Sequence, residues 1–288
     1  MSLSIVFAIA SMFSAGLNDL VFKRYVSKER PKGIYVALIG LIWSGFYLIL
    51  GTLSGGMHFD HNTVLYGLIS GIAVIAANIL LLEGFRGVDA SVGSTIYRLH
   101  FVVVIVLAPL FLSEELTLGK IVGLLFAISS VLLMAQADHS QEHQNKAAPV
   151  FVLLVILASM LRGITGFFFK IATNHHVHEG TFLFVTALLW VIGGLLYWAI
   201  GERDIPMSGA VVPYGLVSGL LCVGIASFLL LSVKLGEAIM AVPIAQLSFV
   251  VTTALSIMLL KERVTRYKVL GGISAVGAIV SLAFASLH

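Results

Sequence analysis

The chain has 288 residues, of which 59% are hydrophobic and only 11% are charged, and its formal net charge is +3. Soluble domains carry about 25% charged residues. So few charges cannot cover a globule of this size in water, although they suffice where most of the surface faces lipid. The Lys and Arg residues lie mainly in short loops between apolar runs, which argues against a nucleic-acid-binding face.

Ten mainly apolar runs are long enough to cross a bilayer, since a spanning helix needs about 20 residues. In chain order they are residues 3–22, 33–53, 64–82, 92–112, 118–136, 150–171, 181–200, 211–232, 239–260 and 267–287. The connections are short except for a polar stretch at the midpoint. We therefore predict a first five-helix unit at 1–136, a linker at 137–148 and a second unit at 149–288.

The two units are copies of one another, offset by a constant 148 residues. Residues 66–71, YGLISG, match residues 214–219, YGLVSG. Polar matches in the same register pair Glu114 with Glu262, Thr117 with Thr265, and Lys120 with Lys268. Because five is an odd number, the second unit must enter the membrane upside down. The predicted fold is an all-α membrane protein with ten transmembrane helices arranged as two inverted five-helix repeats.

The distribution of Lys and Arg predicts an orientation. Of 17 such residues, 12 lie in or beside odd-numbered loops and three beside even-numbered loops. Because positive charge favours the cytoplasmic side, this count places both termini outside the cytoplasm.

Two segments carry a shared pattern of apolar helix, Glu, Thr, short basic turn and Gly-rich helix. They are residues 110–133, LFLSEELTLGKIVGLLFAISSVLL, and 257–282, IMLLKERVTRYKVLGGISAVGAIVSL. The pattern resembles the EamA domain of the drug/metabolite transporter superfamily, present twice. The resemblance implies a permease for a small polar solute, such as an amino acid or organic anion, and favours export. It also implies that both termini are cytoplasmic, against the charge count.

The chain departs from the family pattern in both repeats. The family often has Trp-Gly in the first helix of each repeat, whereas this chain has Phe13-Ser14 and Leu161-Arg162. A Pro is common in the fourth helix of a repeat. Pro243 supplies it in the ninth helix, but Thr95 stands at the matching place in the fourth.

Two arginines, Arg98 and Arg162, lie within predicted spans, where charge is costly and usually functional. A guanidinium group can hold a carboxylate or phosphate through two hydrogen bonds, so the pair predicts an anionic or zwitterionic solute. The competing interpretation is snorkelling to the interface, or structural pairing with Asp19, Glu83 or a backbone carbonyl.

Further candidates for the cavity lining are the polar or aromatic residues Tyr97, His100, Asn18, Ser14, Trp43, Asn78 and Gln246. Ser14 and Asn18 share one helical face, which fits either a cavity or helix packing. Trp43 could stack on an organic solute or simply pack. Pro243 interrupts the ninth helix one turn before Gln246, as in transporters with discontinuous helices.

Asp19, Glu83 and His100 are the candidates for coupling transport to a proton. An interfacial carboxylate at Glu83 and a hydrogen-bonded core histidine at His100 are the alternatives. We interpret the duplicated Glu114 and Glu262 as turn caps. The loop residues His175, His178 and Glu179 are interpreted as a solvated loop rather than as metal ligands.

The sequence has no phosphate-binding GxxxxGK[ST] loop, no GxSxG and no HExxH. We therefore predict a secondary transporter, not an enzyme, in the cell membrane, working by alternating access at a central cavity. Its expected partners are a small-molecule substrate, the bilayer and, as one option, a coupling proton. No cofactor, metal or nucleic acid is predicted. Alternatives are a lipid or lipid-linked substrate flippase, a drug or organic cation exporter, a membrane-embedded enzyme and a structural subunit.

Overall fold

The computed structural model describes residues 2–53, 55–88, 90–139, 149–260 and 264–285, and every regular element in these ranges is a helix. The helices are α1 (Leu3–Val26), α2 (Lys32–Leu53), α3 (His61–Gly84), α4 (Ala90–Arg98), α5 (Phe101–Phe111), α6 (Leu118–His139), α7 (Pro149–Asn174), α8 (Glu179–Gly201), α9 (Val211–Leu235), α10 (Ala238–Gln246), α11 (Ser248–Leu260) and α12 (Arg266–Ala285). Glu262 and most of the predicted linker lie outside the described residues.

These helices make ten spans within the described ranges, because α4 with α5 and α10 with α11 each form one span. This confirms the predicted number of transmembrane helices. The odd-numbered loops lie at one membrane face, with the ends of α1 and α3, and we call it the odd face. The even face is the opposite one, with the ends of α2 and α7.

Several helices run past the apolar stretches that predicted them. Helix α1, for example, continues to Val26 instead of ending at residue 22, and Lys23 and Arg24 lie in its last turn. A helix satisfies its backbone internally, so it can continue into the head-group region while charged side chains reach water. Asp60 caps the start of α3, because its carboxylate accepts hydrogen bonds from the Thr63 backbone N–H at 3.0 Å and from the Thr63 hydroxyl at 2.6 Å.

Equivalent helices of the two repeats run antiparallel, which confirms the inverted repeat. Helix α2 packs along α8, its counterpart, with Gly33 near the start of α2 against Trp198 near the end of α8. Helix α6 packs along α12 in the same manner. There, Gly119 lies against Ala285, and the Ser130 hydroxyl donates to the Gly271 carbonyl at 2.7 Å.

The buried interior lies between the repeats rather than inside either one. Helix α1 packs against α9, and α3 packs against α7. At the even face, the Ser4 hydroxyl donates to the Ser232 carbonyl at 2.8 Å and the Ser232 hydroxyl donates to the Ser4 carbonyl at 2.7 Å. Small hydroxyl residues of this kind allow helices to approach closely within a bilayer.

Both broken spans change direction at duplicated positions. In the fourth span, the Leu99 N–H bonds to the Ile96 carbonyl at 3.2 Å, and the Val102 N–H bonds to the Leu99 carbonyl at 2.9 Å. The same i to i−3 bonds, at 3.1 and 3.0 Å, occur 148 residues later around Leu247. Such tight turns inside a helix often mark hinges. Pro243 indicated the second break, whereas the first has no proline at the corresponding place.

The crossing of α2 and α8 provides a stability test. A Cβ added at Gly40 would lie 2.7 Å from the Val191 backbone N and 2.8 Å from the Trp190 Cβ, whereas a Cβ at Gly45 meets nothing within 4 Å. We expect Gly40→Ala to destabilise the protein by about 1–3 kcal/mol through overpacking. Gly45→Ala, on the same helix, should be neutral or stabilising by up to about 1 kcal/mol. Thermal unfolding in detergent measures both, and equal shifts for the two variants would contradict this packing.

Candidate functional site

A cavity of about 450 Å³ lies at the centre of the interface between the repeats. It reaches from the middle of the membrane to the odd face, where Lys23, Phe85 and Lys268 line its mouth. Of the residues selected from the sequence, those that line it are Asn18, Asp19, Trp43, Asn78, Tyr97, Arg98, His100, Arg162 and Gln246.

Two selected residues, Ser14 and Glu83, are not brought to this cavity. The Ser14 hydroxyl donates to the Ala10 carbonyl at 3.0 Å, and its side chain packs beside Gly224 of α9. Ser14 therefore takes part in helix packing, which was the alternative to a place in the cavity lining. Glu83 forms an ion pair with Arg86 at 2.8 Å and accepts a hydrogen bond from the Tyr197 hydroxyl at 3.1 Å. These contacts make Glu83 an interfacial carboxylate at the odd face.

Away from the mouth, the charged side chains of the cavity gather around the start of α11. The Asp19 carboxylate accepts hydrogen bonds from the Ser248 hydroxyl at 3.3 Å and the Thr252 hydroxyl at 3.2 Å. The Arg98 guanidinium carbon lies 4.7 Å from the centre of the Phe249 ring, a cation–π contact. Arg98 and Arg162 are both near enough to attract Asp19 electrostatically. Two guanidinium groups and one carboxylate leave this part of the cavity positive.

The break in the fourth span positions Tyr97 and His100. The His100 side chain is only 3% exposed, and its ring Nδ1 lies 2.7 Å from the Tyr97 carbonyl, which assigns the ring proton to Nδ1. Helix α7 packs directly on the break, because a Cβ at Gly163 would lie 2.5 Å from the His100 carbonyl. Arg162 is the preceding residue, so its backbone lies beside the break, and its guanidinium is near enough to act on His100 electrostatically.

Aromatic residues form the wall of the cavity on its even-face side. The Trp43 and Trp190 rings pack edge to face with centres 5.8 Å apart. Tyr47, one turn further along α2, bonds instead to the Ser227 hydroxyl and lines a separate pocket of about 690 Å³ at the even face. About one helical turn of α2 therefore separates the central cavity from the outer pocket.

The outer pocket contains some of the loop histidines. The His58 and His178 rings lie 5.0 Å apart, and His178 Nδ1 accepts a hydrogen bond from the Thr181 N–H at 3.2 Å, which caps α8. Within the described residues, no three His, Cys, Asp or Glu side chains are grouped so that they could hold a metal ion.

Charged side chains close the even face, through contacts of Glu114 and Lys120 across the repeats and of Lys170 within the second repeat. Glu114, only 6% exposed, accepts hydrogen bonds from the Ala238 N–H at 2.8 Å and the Ile239 N–H at 2.9 Å, in the first turn of α10. The Lys170 ammonium donates to the Val233 carbonyl at 2.7 Å and the Gly236 carbonyl at 2.6 Å. Lys120 pairs with Glu237. We call Glu114, Lys120, Lys170 and Glu237 the even-face clamp.

The clamp was only partly visible in the sequence. Glu114 is a cap, as predicted, but it caps α10 of the other repeat rather than its own turn. Burial raises the pKa of the Glu114 carboxyl above its ordinary value, while the two backbone N–H groups oppose this shift.

In the central cavity, Ser248 and Thr252, which bind Asp19, were not predicted from the sequence. Their i, i+4 spacing just after Pro243 was the available signal.

Comparison with known proteins identifies the family. A family model described as "EamA-like transporter family" matches residues 2–136 and 150–284. The chain belongs to this family. It is therefore a multi-pass membrane transporter, and the family is one of transporters rather than enzymes.

No curated protein matches the chain significantly. A solved structure titled "Crystal structure of protein" is 13% identical, with a TM-score of 0.80 over 99% of this chain and 97% of that chain. At this identity the similarity shows the fold alone.

Proposed function

We propose that this EamA-family protein is a secondary transporter for a small polar solute that carries a carboxylate or a similar oxyanion. The observation that carries the proposal is the placement of Arg98 and Arg162 in the cavity between the repeats. Guanidinium groups suit oxyanions because they offer paired donors in a fixed plane. Asp19 offsets only one of the two positive charges, so an anion or a zwitterion is favoured over an organic cation.

The two ends of the cavity support alternating access. The odd end reaches the membrane face beside Lys23 and Lys268, while the even-face clamp and the Trp43–Trp190 pair close the opposite end. Transport in this scheme requires the clamp to open as the odd end closes. With the orientation that the positive-inside rule gives, the cavity in this state would open to the cytoplasm.

Asp19 is our candidate for the proton-coupling group. It is the one carboxylate among the described residues that line the cavity. It also lies near Arg98 and Arg162, the two residues that we assign to binding the solute. A proton on Asp19 would remove its competition with the bound anion for these guanidinium groups. Proton and solute binding would then favour one another, which is the linkage expected of a proton symporter.

A thermal-shift screen on the purified protein tests the solute class. Matched compounds should include a monocarboxylate, the corresponding amino acid and the amine that lacks the carboxylate. We expect the carboxylate-bearing compounds to raise the unfolding temperature, because a ligand at 100 times its dissociation constant stabilises by about 2.7 kcal/mol. Compounds that bind are then tested for uptake into proteoliposomes. Stabilisation by the amine alone would favour the organic cation exporter instead.

A further inference from the structure

A further cavity, distinct from the central cavity and the outer pocket, lies on the membrane-facing side of α11 and α12. It is a groove of about 450 Å³, lined mainly by apolar side chains such as Val250, Ile257, Val269, Ile273 and Val276. All of these residues belong to membrane spans, and Val269, Ile273 and Val276 are at least half exposed, so the groove faces the hydrocarbon of the bilayer.

One end of this groove meets the central cavity. Thr253 and Lys268 line both spaces, and Lys268 lies in the first turn of α12, at the odd face. Arg266 is exposed at the same end. The groove lining contains no carboxylate among the residues that the structure describes. Among the described residues, the groove is therefore lined by apolar side chains along most of its length and by a lysine at its head-group end.

The duplicated position in the first repeat behaves differently. Lys120, the counterpart of Lys268, is only 3% exposed and is held in the even-face clamp by Glu237. Lys268 lies half-buried where the groove and the central cavity meet. Lys268 therefore stands beside the lipid-facing groove, whereas Lys120 is enclosed between the repeats.

We propose that the groove between α11 and α12 binds an acyl chain of an anionic phospholipid, with the head group at Lys268 beside the cavity mouth. The occupant must come from the bilayer, because the groove opens to hydrocarbon. It must also be negative at one end, because the groove ends at a lysine. Basic pockets beside membrane helices commonly hold such head groups. This assignment does not depend on which solute the central cavity carries.

Photo-cross-linking in lipid nanodiscs tests the assignment. The probes are phosphatidylglycerol and phosphatidylcholine with the same diazirine-bearing acyl chain, and mass spectrometry locates the labelled peptides. We expect the anionic probe to label the α11 and α12 peptides about fivefold more than the zwitterionic probe, from the attraction of one lysine near the surface. Lys268→Gln should abolish this preference and Lys268→Arg should keep it. Lys28→Gln, an exposed cation of the same face, should also leave it unchanged.

A further variant tests the groove in case Lys268→Gln does not fold. Ile273→Trp fills the groove without changing its charge and should reduce labelling of these peptides by both probes. Equal labelling by the two lipids in the unmodified protein, or a preference that survives Lys268→Gln, would overturn the proposal, since either result describes ordinary contact with surrounding lipid. If the labelled lipid also crosses to the opposite leaflet, the groove assignment stands and the proposed solute class falls.

Discussion

Replacing Arg162 with Gln is expected to reduce solute uptake into proteoliposomes by about 100-fold while the protein stays folded. Arg162 lies in the cavity next to the Gly163 contact, where it attracts Asp19 and faces the space that we assign to the solute. Losing a charged hydrogen bond to a bound oxyanion removes about 2.7 kcal/mol, which corresponds to this factor. Arg98→Gln should have a similar effect, with an added loss of the Phe249 contact.

Two further variants distinguish a role of Arg162 in solute binding from a role in folding. Arg162→Lys keeps the charge but loses the planar pair of donors, so its uptake should fall between those of the wild type and the Gln variant. Arg203→Gln removes an exposed loop charge at the odd face and should transport normally. Thermal unfolding of each variant verifies folding. Wild-type uptake by both Arg98→Gln and Arg162→Gln would reject the proposed role of the two arginines.

Glu114→Ala is expected to open the even face. The carboxylate binds the Ala238 and Ile239 N–H groups, and its removal leaves two buried donors without their acceptor. Loss of such a cap costs about 1–3 kcal/mol. The bond exists only where α10 of one repeat meets Glu114 of the other, so this free energy is lost from the state with a closed even face. The population should shift toward the state that is open there.

The lone cysteine of the chain can report this shift. Cys222 lines the central cavity and is almost fully buried. A membrane-impermeant maleimide added at the even face should label Cys222 at least about fivefold faster in Glu114→Ala than in the wild type, because about 1 kcal/mol changes a population ratio by this factor. Labelling from the odd face should slow. Vesicles of both orientations provide access to each face.

Glu115→Ala is the matched control for the clamp experiment. Glu115 is the exposed neighbour of Glu114, and its backbone carbonyl, which the substitution retains, accepts the hydrogen bond from Lys120. Its labelling should equal that of the wild type. If Glu114→Ala and Glu115→Ala label alike from both faces, Glu114 does not hold the even face closed.

The fold was predictable because lipid imposes simple requirements on the chain. Each apolar run had to become a helix to satisfy its backbone, and five helices in each repeat required inversion. The break at Leu99 was not predictable, because no proline marks it. It coincides instead with the tight packing of Gly163 of α7 against the His100 carbonyl, a contact between residues far apart in sequence.

The charged residues of the candidate site could be predicted, because charged side chains are rare within the membrane spans. Arg98, Arg162 and Asp19 stood out because ionised groups at membrane depth are costly, and all three line the cavity. Ser14 could not be assigned from its spacing, since a polar stripe serves helix packing as well as a cavity. Lys120 and Glu237 were missed because their ion pair forms only where the two repeats meet. Lys170 was missed because its partners are backbone carbonyls about 65 residues away in the same repeat.

The paired tight turns at Leu99 and Leu247 have an energetic consequence. Because both spans are interrupted by the same backbone hydrogen bonds, an exchange of shapes between the two repeats, as the proposed alternating access requires, would leave the backbone energy of these spans almost unchanged. The difference in free energy between the two states would then come from side-chain contacts such as the even-face clamp. Concentrations on either side of the bilayer, rather than the scaffold, would fix the net flux, and side-chain differences such as Arg98 against Gln246 would supply whatever intrinsic bias remains.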